Sequence, residues 1–491
     1  MIYPSRLQFL TQAIPPPLAL ALPCPNATPY DLYRRIVIPG RSSFLLESGK
    51  GPGATARYSF FGSDPYLTLR GKSAEYELRT REGGVVHRQH PFQGLAEQMR
   101  ASRLPKPQGL PPFWGGAVGF FSYDLVRQFE PLPSLAADDL GLPDVHFIFV
   151  DLLTAIDHSS DTLHVIFSPP LERLLGESRE KLYREGCDRL AELEARLSVP
   201  MLPQEDTIPM EQIRVTPNQS PERYMEQVER CQQYIRAGDI YQANLSHRFT
   251  VESLGAGDLA NAGADLYRRL RAINPSPFSA LFMFDDLCLV SSSPERLVRL
   301  EGTRIETRPI AGTRPRGRTH TEDRQLADEL LANAKERAEH IMLVDLERND
   351  LGRVCRYGSI QADEFMIIER YSHVNHIVSN ITGTLRDGLD AFDIIPALFP
   401  GGTITGVPKI RCMEIIESLE PVRRGAYTGS LGYLSWSGDL DLNIIIRTLL
   451  LTADRGYVQV GAGIVADSDP SREYQETLFK AQGLLNALKA S

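Results

Sequence analysis

The chain has 491 residues, 42% of them hydrophobic, and a formal net charge of −9. That length can bury a large core and predicts two or more lobes, while the acidic balance excludes nucleic acid as the main partner, because phosphate binding needs a basic surface. The cysteines (Cys24, Cys187, Cys231, Cys288, Cys355, Cys412) are scattered with no Cys-x-x-Cys, so neither a disulfide framework nor a zinc site is indicated and a reduced, cytoplasmic setting fits.

The first apolar run, Leu18–Leu22, follows Pro15-Pro16-Pro17 and stops at Pro23. It is too short to cross a membrane, and its flank carries too little charge for a signal peptide. Residues 1–198 read as a loop-rich, mixed lobe. Strand-like pieces fall at Ser43–Leu46, Tyr66–Leu69 and Val145–Leu152, and Gly115–Phe121 is a glycine turn entering a strand. Leu174, Leu182, Leu190, Leu193 and Leu197 follow at helical spacing. Pro200, Pro203 and Pro209 mark a linker over 199–213.

Residues 216–491 form a denser second lobe. Ser220 caps a helix predicted over Pro221–Arg236, and a strand follows at Asp239–Phe249. Leu287–Leu300 and Thr303–Thr307 read as strands about Gly302. One long helix is predicted from Glu322 to Asn349, opened by the capping-box pattern Thr319-x-x-Glu322 and closed at Gly352. A shorter helix follows Pro408. Ser430–Trp436 and Leu440–Leu451 read as a hairpin about Ser437-Gly438, with Tyr457–Val465 as a neighbouring strand. The last helix starts at Asp469-Pro470 and turns Tyr474, Leu478, Ala481, Leu485 and Leu488 inward. Strands joined by hairpins are antiparallel, so the expected class is α+β: large, mostly antiparallel sheets covered by helices.

Two Glu-x-x-Glu pairs stand out: Glu336/Glu339 in the long helix and Glu473/Glu476 in the last one. Residues three apart share a helix face. If the two faces meet, the carboxylates converge and demand a hard cation such as Mg²⁺, because unscreened carboxylates repel. The bland alternative is two solvated helix faces. The loop Pro400–Gly406 can bring backbone N–H groups and the Thr403 hydroxyl to an anion, or it is an ordinary glycine-rich connection. Neither it nor Gly49-Lys50-Gly51-Pro52-Gly53 has Walker A spacing.

Strand alternation places Asn443, Ile445 and Arg447 on one face. A guanidinium in so apolar a strand needs a carboxylate, from a ligand or from an internal salt bridge. Gly461 and Gly463 leave one strand face bare, for close approach to a ligand or for a bulge. His373 and His376 are both natural proton donors near neutral pH, and their spacing does not choose between them. The turn Thr307–Arg314 leads into the basic run Arg314–Arg318, a solvated loop or a lip that guides anions.

Together these pieces closely resemble the chorismate-utilising enzymes, anthranilate synthase component I and aminodeoxychorismate synthase component I. The resemblance is carried by Pro309-Ile310-Ala311-Gly312-Thr313, Arg337–Arg353, Phe399–Lys409, Asn443–Thr448 and Gly461–Lys480, and more loosely by Leu45–Ser48 and Gly115–Asp124. It implies that Glu339 and Glu476 ligate Mg²⁺ directly, with Glu336 and Glu473 holding metal-bound water. Arg447, Tyr427, Gly461, Gly463 and Lys480, with Gly312 and Thr313, match the residues around the substrate. Thr403 matches a polar group at the ring, His376 the general acid for the C4 hydroxyl, and Glu295 an acid/base on the nucleophile's side. Glu47, Ser48 and Pro275 match a tryptophan pocket used for feedback in anthranilate synthases.

The family divides by product. Anthranilate synthases add ammonia at C2 and eliminate pyruvate, whereas aminodeoxychorismate synthases place the amino group at C4 and stop. Some of the latter carry a lysine nucleophile where this chain has Ala311, which has no amine to offer. Val344–Asp350, Gly401–Gly406, Tyr427–Tyr433 and Asn443 look more like the aminodeoxychorismate branch, and the reading leans that way. No Gly-x-Cys-x-Gly nucleophile turn is present, so the resemblance implies a separate glutamine amidotransferase subunit, component II, as the source of ammonia. Two other readings are an isochorismate or salicylate synthase, whose usual lysine base has no match here, and a non-catalytic sensor or scaffold on the same fold.

Overall fold

A computed structural model describes residues 2–48, 56–200, 213–252, 258–371 and 374–489. Most of the expected linker, together with Gly49–Gly53 and His373, lies outside the described residues. The architecture is the expected α+β one: a thirteen-stranded and a twelve-stranded sheet, antiparallel throughout their paired strands, with helices against them.

Residues from before and after the linker run edge to edge in both sheets. Ser43–Glu47 lies beside Phe278–Met283, with Leu45 opposite Leu281. Gly116–Phe121 lies beside Ser430–Ser435, with Gly119 opposite Gly432. Gly116 takes φ +137°, and a Cβ there would meet Leu434 O at 2.1 Å, so this strand entrance admits only glycine. Between the sheets, Phe60 of the first packs on Tyr433 of the second at a ring separation of 5.4 Å, and Phe113 stacks on the same tyrosine at 4.7 Å. These buried rings bring a large apolar area to the centre. Among the described residues no helix is long and apolar enough to cross a membrane, and all six cysteines are free.

Three predicted elements are broken, and each break builds the site. The single long helix is two, His320–Ala332 and Ala334–Gly352. Asn333 ends the first and caps the second, its side-chain oxygen accepting from the Lys335 and Glu336 N–H groups at 3.0 and 3.1 Å. Asparagine competes with helix continuation in just this way. Thr319 does cap the first helix, but Glu322 bonds the Arg318 N–H, so the capping box is incomplete.

The predicted strand Leu287–Leu300 divides at Pro294 into Leu287–Ser293 in the first sheet and Arg296–Glu301 in the second. The strand Leu440–Leu451 likewise ends at Asn443 in the second sheet and resumes at Thr448 in the first. Arg447, at φ +51°, sits in that crossover and not on a strand, so the alternation argument for it fails. The two crossovers run side by side: Ile444 N–H donates to Glu295 O at 3.0 Å, Ser292 N–H to Arg447 O at 3.1 Å, and Ser293 Oγ to Ile444 O at 2.6 Å.

Candidate active site

The break at Asn333 puts Glu336 and Glu339 in the first turns of the Ala334–Gly352 helix, where the backbone dipole favours negative charge. The second pair opens the Pro470–Lys489 helix, whose start is capped by Asp469 accepting from Arg472 N–H at 2.9 Å. Lys335, in the first turn of one helix, pairs at 3.1 Å with Asp467, just ahead of the other, so the two helix starts lie near each other. Burial, then the charges of Glu336 and Glu476, push the Glu339 carboxyl above its ordinary range. Burial and Glu476 do the same to Glu473. Glu339 and Glu473 thus feel burial and a neighbouring carboxylate's charge, which a fully solvated helix face would not impose.

Gln242 Nε2 donates to Glu339 Oε1 at 3.4 Å, Arg314 Nη1 to Glu336 Oε1 at 3.0 Å, and Lys480 Nζ pairs with Glu476 at 2.7 Å. Among the described residues, no three carboxylate, imidazole or thiol groups stand close enough together to hold an ion as they are. The donor set is nevertheless all oxygen, which suits a hard divalent cation, and the repelled Glu339 carboxylate is the group such a cation relieves.

His376 lies beside this cluster on the strand Val374–Thr384, opposite Thr313 on Ile310–Pro315. A bulge at Gly312, φ +73°, brings the backbone against Glu336, whose Oε2 would lie 2.9 Å from a Cβ there. His376 Nδ1 is 2.9 Å from Thr313 Oγ1 and 3.4 Å from Gly312 O. The ring is 3% exposed. Burial, then the Arg447 charge, pull its pKa down to about 4.

Arg447 is set among buried groups, and burial works against its charge. Among the described residues no carboxylate lies within salt-bridge distance of it, so the internal salt bridge weighed from sequence is not formed. Glu295 acts on it from further off. Glu295 is itself 6% exposed, with Oε1 unpaired, and burial raises its pKa to about 7. The Thr403 hydroxyl beside it moderates the rise but is likewise buried without a hydrogen-bond partner. Three polar groups with spare bonding capacity therefore share one corner.

On the remaining side, a Cβ at Gly461 would meet Leu245 O at 2.7 Å and Tyr427 Oη at 2.8 Å, and one at Gly463 would meet Gln242 Nε2 at 2.7 Å. Lys480 Nζ donates to Gly461 O at 2.9 Å. Burial pushes the Tyr427 phenol up to about 12.

Residues 41–486 match the chorismate binding enzyme family. The chain belongs to that family. Aminodeoxychorismate synthase component 1 of Bacillus subtilis is 43% identical over 449 residues, 91% of this chain and 92% of that protein. Anthranilate synthase component 1 of Acetivibrio thermocellus is 41% identical over 483 residues, 96% and 95% of the two chains. The crystal structure of anthranilate synthase component I from Streptococcus pneumoniae superposes with a TM-score of 0.76 at 35% identity, covering 87% of this chain and 92% of that one. A menaquinone-specific isochorismate synthase from Escherichia coli, 18% identical, shares the fold with a TM-score of 0.69 over 98% and 97% of the chains. This chorismate binding enzyme is thus of the anthranilate/aminodeoxychorismate synthase type.

Away from this site, Glu47 and Ser48 line a separate cavity with Pro277 and Phe278. The Glu47 carboxylate accepts from Tyr267 Oη at 2.7 Å and from Arg271 at 3.0 and 2.5 Å. Pro275 is half-buried just upstream of it.

Sequence reasoning missed Gln242 and Asn244, which alternate with apolar residues on the strand Gln242–Glu252. Gln242 touches Glu339, and the buried, unpaired Asn244 Nδ2 faces Gly461. Amides at the start of an otherwise buried strand were the available signal.

The depressed histidines make a stability prediction. His376 and His247 both have native pKa values of about 4 against about 6.5 when unfolded. Between those limits the unfolded chain binds protons that the native state refuses, so stability falls as pH drops through that window. The expected loss is about 2 kcal/mol for each residue at pH 5 relative to pH 7.5. Urea titrations at the two pH values check this, and His376→Gln should show a shallower dependence than wild type.

Proposed function

We propose that this chain aminates chorismate at C4, giving 4-amino-4-deoxychorismate, with ammonia supplied by a glutaminase partner, component II. The observation that carries the reading is Arg447: a half-buried guanidinium with no carboxylate within salt-bridge distance among the described residues, next to an unpaired acid and a buried histidine. Chorismate is a dianion of the size and charge such a corner accepts.

The residues then take distinct tasks. Arg447 binds a substrate carboxylate, and Tyr427, Gly461, Gly463 and Lys480 shape the wall that receives it. Neutralising Arg447 lifts the lesser of the two influences that hold His376 low, burial being the larger, and so favours the protonated ring that this role needs. It delivers that proton to the departing C4 hydroxyl, which leaves as water. Ammonia forms the new C–N bond, and Glu295, with a pKa of about 7, takes the surplus proton. Thr403 orients the ring. Glu336, Glu339, Glu473 and Glu476 are the residues that would hold Mg²⁺, which when bound offsets substrate charge.

A second reading, anthranilate plus pyruvate, has Ala311 in its favour. Purified chain with chorismate, Mg²⁺ and an ammonium salt separates the two. p-Aminobenzoate formed only after adding the lyase is the expected result. Anthranilate fluorescence with pyruvate replaces it by the second reading, and unconsumed chorismate overturns both.

A further inference from the structure

A buried and a half-buried cation hold the Pro400–Gly406 loop. Arg424 Nη1 donates to Ile404 O at 2.9 Å. Lys409 Nζ donates to Asp350 Oδ2 at 2.5 Å and to Leu398 O at 3.1 Å. Leu398 closes the Ala391–Leu398 helix before the loop, and Lys409 opens the Lys409–Leu419 helix after it. One ammonium therefore ties both ends of the loop to the far end of the Ala334–Gly352 helix. Its side chain is 13% exposed and that of Asp350 is 11% exposed.

The loop also lies flat on that helix. A Cβ at Gly402 would sit 2.0 Å from Leu346 Cδ2. One helical turn along, Glu347 shares a face with Asp350 and accepts from Thr307 Oγ1 at 2.8 Å, at the head of the turn that carries Gly312 and Thr313. The same helix face thus sets the register of both turns that reach the site. Within the loop, Thr405 O accepts from Asn244 N–H at 2.9 Å and Thr405 Oγ1 donates to Gly401 O at 3.0 Å, while the Thr403 hydroxyl is kept free beside Glu295.

We propose that Lys409, paired with Asp350, is a positioning residue that acts through Thr403, holding its hydroxyl against Glu295 and the reacting ring. This rests on the chorismate reading of the site. The alternative is an ion pair that serves stability alone.

Lys409→Met strands a buried carboxylate and should lower Tm by several degrees. The double variant Lys409→Met/Asp350→Asn removes that charge and should recover most of the loss. Its kcat is expected to stay about 10–100-fold down, the scale of a small misplacement at a reacting centre, with KM for chorismate little changed. Adding Thr403→Val should slow the double variant no further. Recovery of kcat together with Tm, or multiplicative effects of the Lys409 and Thr403 changes, would overturn the proposal. Hydrogen exchange provides a readout independent of turnover. The double variant should exchange the Thr403 and Thr405 amides at least about tenfold faster, the mark of local opening, and unchanged exchange contradicts the proposal even if wild type proves inert toward chorismate. Wild-type inertness with faster exchange in the variant sinks only the chorismate reading.

Discussion

Arg447→Met is expected to lower kcat/KM for chorismate by about 10²–10³-fold while leaving Tm unchanged or raised. The loss follows from removing one partner of an enclosed charge pair, which costs about 3–4 kcal/mol, or about two to three decades in rate. The stability result follows from the other side of the same observation. In the ligand-free protein Arg447 has no carboxylate within salt-bridge distance among the described residues, and burial already works against its charge. Replacing an uncompensated internal charge by an apolar chain of similar length is neutral or stabilising. The positive φ of this crossover residue disfavours arginine and methionine alike. Kinetics and thermal melts on the same preparation check both halves. A large fall in Tm would mean that Arg447 is a structural ion, and unchanged kcat/KM would mean that it does not meet substrate.

The second large effect belongs to Glu339. Its raised pKa means that ionising it destabilises the native state, so this penalty is absent at low pH and grows as pH rises past its ordinary range. Metal-free Glu339→Gln should therefore melt a few degrees above metal-free wild type at pH 8, where one of the repelling charges is gone. Addition of Mg²⁺ should reverse the order, stabilising wild type by binding and the variant far less. Turnover of the variant should fall by about 10³-fold, because a carboxylate acting on a substrate-bound ion supplies several kcal/mol. Glu476→Gln should likewise lose most of the stabilisation by Mg²⁺. Melts with and without Mg²⁺ decide the matter separately from activity. Equal stabilisation of wild type and variant by Mg²⁺ would remove Glu339 from the metal site.

Local patterns made the sheets, the capped helices and the charged pairs legible, because periodicity and capping are properties of neighbouring residues. Ser220, Asp469 and Pro470 mark helix starts that the structure keeps. The failures lie where the chain leaves one sheet for the other. Glu295 and Arg447 occupy adjacent, antiparallel crossovers that read as continuous strands, since Leu287–Leu300 and Leu440–Leu451 are apolar on both sides of the break. Asn333 looked like one more polar residue on a helix, yet it turns the chain so that Glu336 and Glu339 head a new helix. Lys409 and Asp350 are distant in sequence, and only the fold shows that they meet.

We propose that carboxylates from two separate helix starts share one divalent cation. A crystal structure of the chain soaked with Mn²⁺, with anomalous scattering recorded to locate the metal, tests it most directly. The expected map has one strong peak between Glu339 and Glu476, with Glu336 and Glu473 around it. A peak bound elsewhere, or none at a concentration that supports full turnover, would contradict the account.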